Sequence, residues 1–158
     1  MRTWMVAGPI GVAVFAAAFF LLPGARVSTP TPAAKSVQAG SSGPLTRRDK
    51  GEGAVEIEVT LVAPGSPQAV KYGAATETAF IVSMNTHSVD LTGYDLTKAS
   101  ELVAAGRTLT PIRWTSTSDN SHHRAGVLSF PKVDRSGVLE LRIKAIAGVP
   151  VRVFRWAP

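Results

Sequence analysis

The sequence predicts an all-β domain that follows an N-terminal membrane segment and a linker. Apolar and polar residues alternate along several short segments after Gly53, and Gly, Pro, Asn or Asp residues bound these segments. A helical spacing of apolar residues extends over only one or two turns, at residues 95–102. Seven short strands at this spacing are typical of a single antiparallel β-sandwich of immunoglobulin-like type, which we expect at residues 54–158.

The predicted strands differ in how regularly apolar and polar residues alternate along them. Residues 54–62 (AVEIEVTLV) and 137–148 (GVLELRIKAIAG) place every second apolar side chain on one face, so each is expected to bury that face. Pro111 interrupts another segment and predicts an edge strand or a bulge there. The remaining predicted strands cover residues 78–86, 101–105, 107–116, 126–131 and 149–156.

The first 25 residues have the composition of a membrane segment. Arg2 is followed by an uncharged run from Thr3 to Ala25, and about 20 apolar residues suffice for a helix to cross a bilayer. We interpret residues 1–25 as an uncleaved transmembrane signal-anchor. The alternative is a cleavable signal peptide, although Pro23 and Arg26 stand where a cleavage site favours small residues. The domain is then extracytoplasmic, either tethered to the cytoplasmic membrane or secreted.

Residues 26–53 have the composition of a disordered linker. They are rich in Pro, Gly, Ser, Thr and charge, and their few large apolar side chains cannot offset the entropy lost on ordering. The whole chain has a net charge of +6, but residues 54–158 contain 11 Lys and Arg against 9 Asp and Glu, a net of +2. Because nucleic acids require a clustered basic face, we expect no nucleic-acid partner. The absence of cysteine excludes disulfides and Cys-ligated zinc.

Three histidines form the main candidate site. His87 follows the predicted strand 78–86, and His122 and His123 precede the predicted strand that begins at Gly126. If these two strands pair antiparallel, the three imidazoles gather at one end of the sandwich. Three convergent histidines are a sufficient ligand set for zinc or copper, so they are the predicted metal ligands.

Two further residues join the histidines in the predicted ligand-binding set. Asp90 follows His87 in the segment NTHSVDL, and Arg124 follows His123 in the segment SHHRAG. A structural interpretation stays open beside this one, because adjacent residues of a strand point to opposite faces. The segment SDNSHH also has the composition of a loop whose polar side chains bond their own backbone.

Three segments resemble successive motifs of exported prokaryotic β-sandwich proteins of uncharacterised function. They are FIVSMNTHSVDLTGYDL (80–96), PIRWTSTSDNSHHRAGVLSFP (111–131) and GVPVRVFRW (148–156). The most specific pieces are THSVDL and HHRAGVLSFP. The resemblance covers Val55 to Trp156 and implies a β-sandwich and an exported setting, but no reaction. The matching motifs contain the candidate residues His87, Asp90, His122 and His123.

These observations predict a non-enzymatic, membrane-tethered module that binds a protein or a small molecule. No G-x-S-x-G elbow, Walker loop, dinucleotide fingerprint or H-E-x-x-H motif occurs in the sequence. A copper- or zinc-binding protein that uses the histidines is the first alternative. The second is a hydrolase in which Asp90 or Asp119 acts beside a histidine, although nothing in the sequence specifies a nucleophile or an oxyanion hole.

Overall fold

The computed structural model describes residues 45–50 and 53–158. These residues form nine β-strands and two short helices. The strands are β1 (Thr46–Asp49), β2 (Val55–Leu61), β3 (Glu77–Thr86), β4 (Ser100–Ala104), β5 (Arg107–Leu109), β6 (Arg113–Asp119), β7 (His123–Pro131), β8 (Leu139–Ile146) and β9 (Val149–Trp156), and the helices are α1 (Pro67–Lys71) and α2 (Leu96–Ala99). The predicted membrane segment at residues 1–25 and most of the predicted linker lie outside the described residues.

The strands form two antiparallel sheets. Sheet A has five strands in the order β1-β2-β3-β7-β6, and sheet B has four strands in the order β5-β4-β8-β9. Every pair of neighbouring strands runs antiparallel. The predicted all-β class is therefore confirmed. Within the described part of the chain, neither helix has the length and apolar character needed to cross a membrane.

The observed strands coincide closely with the predicted ones. The predicted segment 107–116 divides into β5 and β6 around Pro111, which has no N–H to donate to a neighbouring strand. β7 begins at His123 instead of Gly126, so the strand extends into the segment that the sequence assigned to a loop. This extension brings His123 and Arg124 into sheet A.

The predicted alternation of β2 is present in the structure. Val55, Ile57, Val59 and Leu61 are buried, and the residues between them are half-buried. The four side chains belong to one apolar core that also contains residues of both sheets, among them Phe80, Met84, Leu102, Leu128, Leu141 and Phe154. Since the chain has no cysteine, burial of these side chains holds the sheets together, and each large one contributes about 1.5–3 kcal/mol.

Strand β1 corrects the predicted boundary of the domain, because it lies inside the range 26–53 that was assigned to the linker. Its sequence, TRRD, has no apolar alternation, and its contacts with other strands hold it in place. It pairs with β2, and two hydrogen bonds of 2.7 Å connect β1 and the preceding residue, Leu45, to β9. In these bonds Trp156 Nε1 donates to the carbonyl oxygen of Leu45, and Arg47 Nε donates to that of Arg155. The fold therefore begins before residue 54.

A buried ion pair lies at the same junction of β1 and β9. Asp49 Oδ2 is 2.6 Å from Arg152 Nε, and the two side chains are 2% and 0% exposed. Arg152 Nη1 also donates a hydrogen bond of 2.8 Å to the carbonyl oxygen of Ile146. A buried charge that loses its partner costs several kcal/mol. This pair therefore links the edge strand of sheet A to the edge strand of sheet B.

Candidate functional site

The pairing of β3 with β7 determines where the histidines lie. Asn85 is opposite His123 in this ladder, and the N–H of Thr86 donates to the carbonyl oxygen of His122 at 3.0 Å. His87 directly follows Thr86. All three histidines therefore lie where β3 ends and β7 begins. We refer to this region as the histidine end and define it by residues 85–95 and 118–124.

Asn120 organises the turn that carries two of the histidines. Its Oδ1 accepts hydrogen bonds from the backbone N–H groups of His122 at 2.9 Å and His123 at 2.7 Å. His123 Nδ1 is 2.9 Å from Asn85 Oδ1 on the neighbouring strand. All three histidines, including His87, are exposed. The loop interpretation of SDNSHH thus holds for Asn120 to His122, whereas Ser118 and Asp119 belong to β6 and His123 belongs to β7. The imidazoles of His87 and His122 are open to solvent.

The structure does not gather the histidines into a metal site. Among the described residues, no three His, Asp or Glu side chains lie close enough together to hold a metal ion. The ring of His123 bonds to Asn85 within the sheet, whereas His122 belongs to the adjacent turn. The predicted ligand set of His87, His122 and His123 is therefore not present as a preformed metal centre, for copper or for zinc.

Arg124 is buried, although the sequence predicted it to contact a ligand. Its side chain is 9% exposed, and its Nη1 donates hydrogen bonds to the carbonyl oxygens of Leu91, at 3.1 Å, and Tyr94. Its Nε forms an ion pair with Asp119 Oδ1 at 2.8 Å. The guanidinium therefore holds the segment after β3 against the ends of β6 and β7, which is a structural role.

Trp114 covers the guanidinium of Arg124 from the edge strand β6. Arg124 Cζ lies 5.7 Å from the centre of the indole ring, within the range of a cation–π interaction. The indole also lies against Gly126. A Cβ added at this glycine would come within 2.6 Å of the ring and 2.5 Å of the carbonyl oxygen of Thr115. Only glycine leaves room here for the indole.

Thr86 holds the beginning of the loop that carries His87. The threonine is 4% exposed, and its hydroxyl donates a hydrogen bond of 2.7 Å to the carbonyl oxygen of Ala54. Thr86 Oγ1 in turn accepts hydrogen bonds from the N–H groups of Ser88 at 3.2 Å and Val89 at 3.3 Å. Sequence reasoning missed this residue, because a threonine at the end of a strand is unremarkable without knowledge of the loop that it caps.

Two carboxylates of the histidine end are stabilised in the ionised form. Asp90 Oδ1 accepts hydrogen bonds from the hydroxyl of Thr92 at 2.7 Å and from its N–H at 2.9 Å. These bonds, and to a smaller extent the charge of His122, lower the pKa of Asp90. Asp95 caps the first turn of α2, and hydrogen bonds, chiefly from the hydroxyl of Thr97, lower its pKa to about 2. Both carboxylates are therefore ionised at neutral pH, and that of Asp90 interacts with His122.

The exposed groups of this end are suited to recognition of a polar ligand. The carboxylates of the hydrolase alternative, Asp90 and Asp119, form no hydrogen bond with a histidine in the described part of the chain. Asp90 is bonded within its own turn, and Asp119 pairs with Arg124. The imidazoles of His87 and His122 and the carboxylate of Asp90 remain accessible, and together they can donate and accept hydrogen bonds.

Comparison with known proteins gives no match for this chain. No protein-family model matches it, and no curated protein or solved structure matches it. The residues of the histidine end are therefore identified by their own contacts.

Replacing Arg124 with methionine tests the structural role of the guanidinium. Methionine keeps an apolar stem but leaves the carbonyl groups of Leu91 and Tyr94 without their donor. We expect the free energy of unfolding to fall by about 3 kcal/mol, as measured by urea denaturation. Amide hydrogen exchange in residues 87–95 is expected to become faster.

The matched control is Arg107→Met, which removes an exposed arginine of β5. We expect this variant to change the free energy of unfolding by about 0.5 kcal/mol or less. An Arg124→Met variant that is as stable as the control, with unchanged exchange in the loop, would contradict the structural role.

Proposed function

We propose that this protein is a membrane-tethered, extracytoplasmic binding module of immunoglobulin-like fold, which binds its ligand at the histidine end and carries out no reaction. One observation carries the proposal. Exposed polar side chains of separate loops meet at one end of the two sheets, while buried Thr86 and Arg124 hold those loops in place. Loops that a rigid scaffold positions are the usual location of binding residues.

The order of the strands supports the immunoglobulin-like assignment. In an immunoglobulin domain, strands A, B, E and D form one sheet, and strands C, F and G form the other. The order β2-β3-β7-β6 in sheet A corresponds to A-B-E-D, and the order β4-β8-β9 in sheet B corresponds to C-F-G. β1 and β5 are then additional edge strands.

Under this correspondence the histidine end includes the loop that follows strand B. Residues 87–99 connect β3 to β4, and residues 147–148 connect β8 to β9, which makes them the B–C and F–G loops. The hydroxyl oxygen of Tyr94 accepts a hydrogen bond of 3.0 Å from the N–H of Ala147, so the two loops are in contact. In variable domains the B–C and F–G loops form part of the antigen-binding surface. This likeness supports ligand binding at the same end.

The entry of the chain into the fold supports a tether on the opposite side. The carbonyl oxygen of Leu45 accepts hydrogen bonds from Trp156 Nε1 and from the N–H of Leu61, at the far ends of β9 and β2. The other end of β2 is Val55, which is opposite Thr86 at the histidine end. A tether that precedes Leu45 would therefore join the fold at the end opposite the histidines.

Two features of the sequence support the extracytoplasmic setting. The apolar composition of residues 1–25 suits a signal-anchor. The segments THSVDL and HHRAGVLSFP resemble motifs of exported prokaryotic β-sandwich proteins. An anchor that stays attached would leave the module on the outer face of the cytoplasmic membrane, and cleavage would release it as a secreted protein.

A reporter enzyme that is active only outside the cytoplasm tests the side of the membrane when it is fused after Pro158. This residue is exposed and lies beyond β9, so the fusion leaves the strand intact. We expect the reporter to be active. A second reporter that works only in the cytoplasm is expected to be inactive at the same position. Expressed fusions with the opposite pattern would contradict the extracytoplasmic setting.

Chemical modification of histidines tests whether a ligand covers the histidine end. In the purified full-length chain we expect diethyl pyrocarbonate to modify the exposed residues His87 and His122. In intact cells we expect both to be protected, because the bound ligand excludes the reagent. Mass spectrometry of the recovered protein measures the modification.

The internal control is Lys132, which is exposed and follows the far end of β7. We expect it to be modified equally in cells and in the purified chain. If the two histidines are also modified equally in both samples, binding at the histidine end is wrong.

A further inference from the structure

Three large apolar side chains stand out among the described residues because they are strongly exposed. Val70 is 80% exposed, and Ile112 and Val138 are each 54% exposed. They lie on three different connections: Val70 in α1, Ile112 directly before β6 and Val138 directly before β8. A single exposed apolar residue is ordinary on a protein surface, so what matters is whether the three lie together.

The strand pairings place Val70 and Ile112 at the end of the fold opposite the histidines. β3 runs from Glu77 to the histidine end, so its first residue lies at the opposite end of sheet A. Val70 lies on the connection that leads from β2 into this residue. The N–H of Ile112 donates a hydrogen bond of 2.7 Å to the carbonyl oxygen of Ser129, two residues before β7 ends opposite Glu77. Both apolar side chains therefore belong to the half of sheet A that is remote from the histidines.

Val138 lies on the connection that crosses the same end from sheet A to sheet B. This connection, residues 132–138, leads from the end of β7 to the start of β8. Within it, Arg135 Nη1 donates a hydrogen bond of 2.7 Å to the carbonyl oxygen of Val62, directly after β2. The N–H of Leu61, the last residue of β2, bonds to Leu45, where the described chain begins. We therefore refer to residues 62–76, 110–113 and 132–138 together as the entry end.

The entry end is basic as well as apolar. Its three segments contain Lys71, Arg113, Lys132 and Arg135 against Asp134, which is four cations minus one carboxylate and a net charge of +3. Glu77 pairs with Arg113 at the start of β3 and lowers this net to +2. The connection 87–99 at the opposite end has a net of −1, from Asp90 and Asp95 against Lys98. Residues 1–44, which precede the described part, contain no Asp or Glu. The charge of the entry end therefore favours an anionic partner.

A cavity of about 300 Å³ brings two of the connections of the entry end together. Lys71 and Tyr72 of the segment around α1 line it, and so do Arg113 and Thr115 of β6. Arg113 Nη1 donates a hydrogen bond of 2.5 Å to Glu77 Oε1, which fixes the guanidinium beside the cavity. A phosphate group in this cavity would meet two cationic side chains, and both can donate charge-assisted hydrogen bonds to it.

We propose that the entry end docks on a membrane surface of anionic phospholipids. Val70, Ile112 and Val138 would enter the boundary between headgroups and acyl chains, where removal of apolar surface from water stabilises them. The headgroup phosphates would attract Lys71 and Arg113. Docking of this kind is reversible, so an exposed side chain such as Lys132 still reacts with small reagents. The docking requires no ligand at the histidine end and goes beyond the binding function proposed above.

Quenching of single fluorophores by spin-labelled lipid tests this docking in the full-length chain. Because the chain has no cysteine, the variants Val70→Cys, Ile112→Cys and Val138→Cys each carry one bimane label. Each protein is reconstituted with an excess of vesicles made of phosphatidylcholine, phosphatidylglycerol and nitroxide-labelled phosphatidylcholine. We expect all three labels to be quenched, and more weakly when phosphatidylglycerol is left out. A label on Ser88→Cys, an exposed position at the histidine end, is expected to be quenched little in either case.

A Lys71→Glu variant separates attraction by charge from mere proximity to the membrane. The equilibrium constant for docking is obtained from the quenching of a label at Val138→Cys. We expect it to fall at least about fivefold, because each Lys or Arg near an anionic surface contributes about that factor. The matched control is Lys98→Glu, since both lysines are exposed and stand in the last turn of a short helix. This control is expected to dock normally.

Three results would overturn the proposal. The first is quenching of the three labels that does not exceed that of the Ser88→Cys label. The second is equal quenching with and without phosphatidylglycerol. The third is equal docking of Lys71→Glu and Lys98→Glu. Flotation with vesicles of phosphatidylcholine alone tests the tether separately. A chain that fails to float would contradict the tether, while quenching by the excess of anionic vesicles would still report docking.

Discussion

β3 and β7 pair over nine positions in the middle of sheet A. This register sets Arg124 opposite Met84 on the face that joins the core, and it sets Asn85 opposite His123 at the end of the sheet. A slip by one position would turn the apolar side chains of β7, such as Leu128, from the core to the outer face. It would also separate the guanidinium from the loop carbonyls that it binds. The core and the histidine end therefore depend on the same pairing.

Three arginines with buried or half-buried side chains show how this small fold provides carboxylate or carbonyl partners for its guanidinium groups. Arg124 pairs with Asp119 and with backbone carbonyls, and it thereby holds a loop at the histidine end. Arg152 pairs with Asp49 and links the two edge strands β1 and β9. Each pair makes a connection between elements that apolar burial alone would not specify. Arg135, at the opposite end, donates a hydrogen bond of 2.7 Å to the carbonyl oxygen of Val62.

The alternation of apolar and polar residues predicted the strands well. Burial of one face of a sheet places an apolar residue at every second position of segments such as 55–61 and 139–146. Alternation could not predict β1, whose polar residues are held by β2, by β9 and by a buried ion pair that is remote in sequence. The position of the histidines followed from the order of the strands. The role of Arg124 could not be predicted from the order of the strands. Nothing in the local sequence indicates which backbone carbonyl groups an inward-facing arginine will bond to. The positions of the strands were predicted from the sequence, but the direction of side chains such as that of Arg124 was not, and this limited the prediction of the site.

A designed disulfide in the full-length chain, which has no other cysteine, tests the register most directly. Thr86 and His122 form a hydrogen-bonded pair, so Ser83 and Ala125 occupy a non-hydrogen-bonded pair with Cα atoms about 4.5 Å apart. We predict that Ser83→Cys/Ala125→Cys forms an intramolecular disulfide on mild oxidation. The diagonal pair Ser83→Cys/His123→Cys, at about 7–8 Å, is expected to stay reduced. A disulfide in the diagonal pair, or in neither variant, would contradict the pairing on which the core and the histidine end depend.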